Sequence, residues 1–166
     1  RLAEQAGVPT FAFYTTGCDS PVTLGLSDNP VGVAFQKNDS PSTAILLGVP
    51  SETAGQLSQS RRRDWYAIDA RGGEVFYLEA TGHRLASPVD LDVSIHGDAV
   101  GNIADGNILA RFQDNSQGAA DIRFPASHLD PSGRWVAPRD GRFLVSVRNL
   151  IGGIEDDSRR VYSLSV

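Results

Sequence analysis

Apolar and polar residues alternate with a period of two along most of this chain. Short apolar stretches fall at Thr10–Thr15, Val22–Leu26, Thr43–Leu47, Trp65–Ala70, Val75–Ala80, Val89–His96, Ile108–Phe112, Asp121–Phe124, Phe143–Arg148 and Val161–Val166. Clusters of Gly, Pro, Asn, Asp and Ser separate them, which is the chemistry of turns. Only Arg1–Ala6 and Ser40–Ala44 carry a brief helical signal. About eight to ten short strands without helical runs between them predict an all-β fold, an antiparallel β-sandwich of jelly-roll-like type, rather than a parallel sheet.

The alternation also assigns faces. Between Asp64 and Ala70 one face carries Tyr66, Ile68 and Ala70, and the other carries Trp65, Ala67 and Asp69. After Arg71-Gly72-Gly73, which reads as a tight hairpin turn, Phe76, Leu78 and Ala80 alternate with Val75, Tyr77 and Glu79. Phe143, Val145 and Val147 form a further core stripe, as do Tyr162, Leu164 and Val166. Tyr162 is expected to bury its ring and hydrogen-bond its hydroxyl at a sheet end. A slip of one residue would bury Asp69, Glu79 or Arg148, so register is well specified. Asp140-Gly141, just before Phe143, is a tight-turn signal. Residues 1–34 read differently: Gly7-Val8-Pro9, Ser20-Pro21 and Asn29-Pro30 punctuate two apolar stretches with no clear partner further on. They are either strands added to the sandwich or the tail of a preceding module, which divides the chain into 1–34 and a sandwich domain over 35–166.

Size and charge narrow the classes. At 166 residues the chain suits one domain with a core that needs neither disulfides nor metal. One Cys excludes an internal disulfide framework and a Cys-based zinc site. The net charge is −5, and no clustered basic surface offers itself to phosphates, so nucleic acid is not an expected partner. A stretch long and apolar enough to span a membrane is absent from the sequence. The chain opens on Arg1 and contains no Met, so it is expected to be a fragment of a longer precursor. The charges are lopsided, with 15 Asp against 5 Glu and 14 Arg against one Lys.

Candidate chemistry is sparse. His83, His96 and His128 are far apart and sit in no metalloprotease or nucleophile-elbow motif, and Ser-His-Asp triads are defined by geometry rather than by counts. No catalytic residue is assigned, and an enzyme is not expected. Cys18 follows Gly17 in a turn with no basic neighbour to activate it. Arg61-Arg62-Arg63 is the single basic run, suited to an acidic partner or simply to solvent. Asp90, Asp92, Asp98, Asp105, Asp114 and Asp121 form an acidic set in which Asp90 and Asp92 share one face of a strand. Trp65 and Tyr77 fall on the outer face of two strands expected to pair, where adjacent rings would make a platform for a sugar or an extended peptide. The opposing reading has the first 34 residues covering that face, so that both rings are core.

From about Asn38 the order of signals resembles a known module. Asn38-Asp39-Ser40-Pro41 precedes Ala44, Leu47, Pro50 and Gly55-Gln56-Leu57; Asp64-Trp65-Tyr66-Ala67-Ile68, Gly73-Glu74 and Ser87-Pro88-Val89-Asp90-Leu91 follow. Asp98 and Gly101, then Ala137-Pro138-Arg139-Asp140-Gly141-Arg142-Phe143, Gly152-Gly153 and Val161-Tyr162-Ser163-Leu164-Ser165-Val166 complete the series. The set is similar to the bacterial pre-peptidase C-terminal domain, a β-sandwich of secreted proteases and surface proteins, and to the collagen-binding domains of bacterial collagenases. The resemblance spans roughly residues 33–166. It implies a non-catalytic accessory module of an exported multi-domain protein, extracellular, at the cell surface or periplasmic. Such a module attaches, spaces or stabilises neighbouring domains. The alternative is a module that binds carbohydrate or extracellular protein, with or without calcium; no other cofactor is expected. The metal positions carried over are Asn38, Asp39 and Asp64; two glutamates of the calcium-binding relatives fall here on about Val33 and Phe35, which removes most of the charge such a site needs and favours the reading that Asp39 and Asp64 cap turns.

Overall fold

The computed structural model describes residues 10–57, 63–97, 107–115, 128–151 and 157–166. Thirteen strands occur among them: β1 (Thr10–Phe13), β2 (Val22–Gly25), β3 (Val31–Val33), β4 (Ile45–Leu46), β5 (Glu52–Gln56), β6 (Arg63–Ala70), β7 (Val75–Thr81), β8 (Leu91–His96), β9 (Ile108–Phe112), β10 (Asp114–Asn115), β11 (His128–Val136), β12 (Gly141–Asn149) and β13 (Val161–Ser165). Two 3-10 turns, Pro41–Thr43 and His83–Leu85, lie among the described residues, where no helix is long and apolar enough to cross a membrane. The first matches the helical signal at Ser40–Ala44. Arg1–Ala6 and Asp121–Phe124 lie outside the described residues.

Two sheets face each other. One has the order β10-β11-β7-β13-β5-β3 and the other β4-β6-β12-β8-β9. All pairings are antiparallel except β3 with β5 and β4 with β6. The all-β sandwich expected from the alternation is the fold observed. β1 and β2 form a two-stranded hairpin of their own, with Gly25 against Leu85 of the second 3-10 turn. β3 joins the larger sheet as its edge strand.

The connections are where the sequence reading needs correction. β6 and β7 are not a hairpin: β6 pairs with β12 in the five-stranded sheet, and β7 pairs with β11 and β13 in the six-stranded one. The turn at Arg71–Glu74 therefore carries the chain from one sheet to the other. Its Glu74 N–H donates to the Arg71 carbonyl at 3.0 Å, and Gly73 takes φ +84, a left-handed position that suits glycine. The segment from Ala137 to Gly141 makes the same crossing from β11 to β12. The two corners hold each other: Gly73 N–H donates to Ala137 O at 2.8 Å, Ala137 N–H to Glu74 O at 2.9 Å, and Gly72 N–H to Asp140 Oδ1 at 2.7 Å.

Between the sheets, the inward faces are those the alternation assigned. Tyr66, Ile68, Phe76, Leu78, Ala80, Phe143, Val145, Val147, Tyr162 and Leu164 are all buried in one apolar core. Trp135 of β11 bridges it, 5.8 Å from Phe76 in its own sheet and 4.9 Å, edge-on, from Phe143 in the other. Glycines permit the closest approaches. The Phe112 ring lies over Gly133, and a Cβ there would fall 2.1 Å from it. A Cβ on Gly55 would fall 2.4 Å from the Tyr162 ring and hydroxyl.

That last contact yields a test. Tyr162 is held in place because its hydroxyl donates to Asp64 and accepts from Tyr66, so its ring cannot swing clear of an added methyl. Gly55→Ala is expected to lower unfolding free energy by about 1–3 kcal/mol, read as a lower urea midpoint with an unchanged slope.

Candidate functional site

Polar chemistry collects first on the outer face of the five-stranded sheet. Strand register places Trp65 and Ala67 of β6, Leu144, Ser146 and Arg148 of β12, Asp92, Ser94 and His96 of β8, and Arg111 of β9 on one surface. Trp65, Ala67, Leu144, Ser146, Asp92, Ser94 and His96 are all buried. Asp92 accepts from Arg148 Nε at 3.1 Å, Ser94 Oγ at 3.2 Å, Gln113 Nε2 at 3.3 Å and, more closely, Arg111 Nε. Two cationic partners and a hydroxyl offset the cost of placing a carboxylate there. His96 Nε2 and Ser146 Oγ stand 2.9 Å apart, and the imidazole packs on Trp65 with 4.9 Å between ring centres.

A serine beside a histidine invites a catalytic reading, but the arrangement does not develop one. Asp92 lies four residues from His96 along β8, about 13 Å for an extended strand, and its carboxylate is engaged by the two arginines. Both Ser146 and His96 are 1% exposed, so the hydroxyl is sealed from a substrate. The sequence reading put Asp90 and Asp92 on one face of a strand; it did not bring Ser94, His96 and Ser146 to that face or reveal that the face is covered. Asp90 precedes β8, and its carboxyl is held above the ordinary value by partial burial, then by Asp114 and Asp92. Asp98, Asp105 and Asp121, Arg61 and Arg62, and the His128 side chain lie outside the described residues. Arg63 sets its guanidinium 5.4 Å over the Trp65 ring, and Cys18 is exposed in the β1–β2 connection.

The expected aromatic platform is corrected. Trp65 is 4% exposed and packs with Ala67, Leu144 and Ala44, while Tyr77 is 69% exposed in the opposite sheet. Because the chain changes sheets at Arg71–Glu74, the two rings face away from each other on opposite sides of the sandwich. Among the described residues, Ala44, the His96 ring and the Arg63 guanidinium pack against Trp65, with the 3-10 turn Pro41–Thr43 beside β6; residues 1–9 lie outside the described residues. Tyr77 stands on the outer face of the six-stranded sheet. Arg134 is opposite it on β11, and the pair Val75 and Val136 lies beside it. Val75 and Val136 are exposed too.

The positions carried over for calcium come to different ends. Asp64 is fully buried and faces the core with Tyr66. Its Oδ2 accepts the Tyr162 hydroxyl at 2.6 Å, and the Tyr66 hydroxyl in turn donates to Tyr162 at 2.7 Å. Burial, and then Tyr66 and Asp64, hold the Tyr162 phenol well above the ordinary value of 10.0. Asn38 is buried; its Nδ2 donates to Trp65 O at 3.3 Å, and its carbonyl accepts the Trp65 N–H at 2.7 Å. Asp39 pairs with Lys37 at 3.0 Å near the surface. Val33 and Phe35 are exposed hydrocarbon. Among the described residues no group of three or more His, Cys, Asp or Glu side chains could hold a metal ion. A hard cation wants six to eight converging oxygens, and these residues do not fit one.

Two outcomes follow from this geometry. Trp65→Ala is expected to lower stability by about 3–5 kcal/mol, as for any large buried aromatic, in a denaturant titration. Tyr162→Phe is expected to cost about 1–3 kcal/mol at neutral pH by removing a buried hydrogen-bond partner of Asp64. The pH dependence has a definite sign. With its folded value raised, Tyr162 stays protonated in the native state while its unfolded counterpart ionises, so stability falls as pH climbs past about 10. The Phe variant should show a shallower alkaline slope in the same titration.

No family model matches the chain, and no curated protein matches it. Two solved structures are similar. The crystal structure of Aeromonas hydrophila PliG, a periplasmic lysozyme inhibitor of g-type lysozyme, is 11% identical with a TM-score of 0.46, over 82% of this chain and 96% of that one. The pre-peptidase C-terminal domain of the collagenase from Bacillus anthracis is 15% identical with a TM-score of 0.51, over 74% of this chain and 92% of that one. The β-sandwich that the sequence resemblance implied is thus the fold of this chain, shared with a pre-peptidase C-terminal domain.

Proposed function

We propose that this chain is a non-catalytic accessory module of an exported, multi-domain bacterial protein, acting by surface recognition through the open face of its six-stranded sheet. Tyr77 carries the reading. A tyrosine 69% exposed on a strand, with the Arg134 guanidinium opposite and Val75 and Val136 alongside, offers a flat apolar ring and a planar cation on one surface. Rigid aromatic and arginine side chains of this kind are the usual anchors of recognition surfaces. The collagenase domain of the same fold supports an extracellular or periplasmic setting, and a neighbouring domain or an extracellular polymer as the partner. The other constellation that resembles chemistry, Ser146 with His96, is sealed, which favours binding over bond cleavage.

Retention of the purified chain on immobilised polysaccharides and on collagen tests this reading. Tyr77→Ala is expected to reduce retention several-fold while the melting temperature stays within about 1 °C, as for an exposed substitution. Retention unchanged by both Tyr77→Ala and Arg134→Ala on every matrix would remove this face from the function.

A further inference from the structure

We infer that this sandwich has dispensed with calcium at the junction of the Asn38-Asp39 loop with β6, and that side chains of the chain itself fill the roles a cation would serve there. Four observations converge. The Asp64 carboxylate, which would be the innermost ligand, is turned between the sheets and accepts the Tyr162 hydroxyl at 2.6 Å, a donor supplied from the opposite sheet. The Asn38 side chain donates to Trp65 O at 3.3 Å and ties the loop directly to β6. Asp39 meets the ammonium of Lys37 at 3.0 Å, and Lys37 is the single lysine in the chain. Val33 and Phe35 place hydrocarbon, 53% and 89% exposed, where two further carboxylates would be needed.

The chemistry decides between the two modes of joining loop to strand. Calcium binds by gathering oxygens whose charge it neutralises. Here one carboxylate is answered by a phenol and the other by an ammonium, and the buried Asn38 amide donates its N–H to a backbone carbonyl of β6. A cation at Asp39 would have to compete with the Lys37 ammonium, and one drawn to Asp64 would compete with the Tyr162 hydroxyl for that carboxylate. Loss of the hydroxyl contact would leave the Tyr66–Tyr162 pair without its acceptor inside the core, which is costly. The loop is therefore fastened without metal.

The test is thermal melting of the chain in excess calcium and in chelator, with terbium emission sensitised by Trp65 and Tyr162 as a second readout. The expected result is a calcium shift below about 1 °C and no sensitised emission that depends on Asp39. A rise of several degrees with calcium that disappears in Asp39→Asn, or terbium emission abolished by that substitution, would overturn it. Neither readout depends on retention by a matrix, so failure here is distinguishable from failure of the proposed binding face.

Discussion

The hydroxyl of Tyr162, wedged between two sheets, donates to the buried carboxylate of Asp64 and receives the hydroxyl of Tyr66. Much of the sandwich depends on this short chain of bonds. Tyr162 belongs to β13 in the larger sheet, whereas Asp64 and Tyr66 belong to β6 in the smaller one. The contact is therefore a polar bolt through an apolar core. A charged carboxylate so placed is unfavourable unless it is well partnered, and a polar chain of this kind is satisfied in one alignment of the sheets only. Gly55 belongs to the same constraint, because the ring that delivers the hydroxyl rests on its Cα. So does Asn38, which fixes the loop to the Trp65 peptide next to Asp64.

A second carboxylate solves a similar problem at a sheet edge. Asp130 on β11 is fully buried, yet it accepts from the Gly82, His83 and Arg84 N–H groups and from Arg84 Nε. Burial opposes its ionisation, but those donors win, and its carboxyl sits below the ordinary value. It fastens β11 to the 3-10 turn at His83–Leu85. Together with Asp92 between Arg111 and Arg148, these cases explain part of the excess of aspartate. A short carboxylate reaches backbone N–H groups and neighbouring strands without the freedom of a longer side chain. The buried aspartates are thus fasteners, whereas Tyr77 and Arg134 stand exposed on the outer face of the six-stranded sheet.

Strands with clean alternation were legible in the sequence. β6, β7, β12 and β13 fall where the apolar stripes placed them, with the inward faces as assigned. β5 and β11 were not foreseen. The inward positions of β5 are Thr53 and Gly55, which do not read as apolar. β11 carries Pro131 and Gly133, which break the stripe; Pro131 is tolerated because its neighbour β10 is a two-residue edge strand. Gly133 is required by the Phe112 ring above it. Of the two signals that argue against a strand in one dimension, Gly133 is a packing requirement in three and Pro131 is accommodated at a sheet edge.

The sequence by itself determined the fold class, the two faces of each regular strand and the absence of any local catalytic motif, because these follow from a period of two and from spacing along the chain. Tertiary structure alone decided which strands are neighbours. Arg71–Glu74 looks like a hairpin turn locally, and its Gly73 geometry is that of a tight turn, yet the chain leaves it for the other sheet. Pairing is set by which edge is free and which face must be buried, quantities that belong to the assembled core. Trp65 and Tyr77, adjacent in the linear reading, end on opposite outer faces for this reason. One is covered by Ala44 and its loop, and the other is open to solvent.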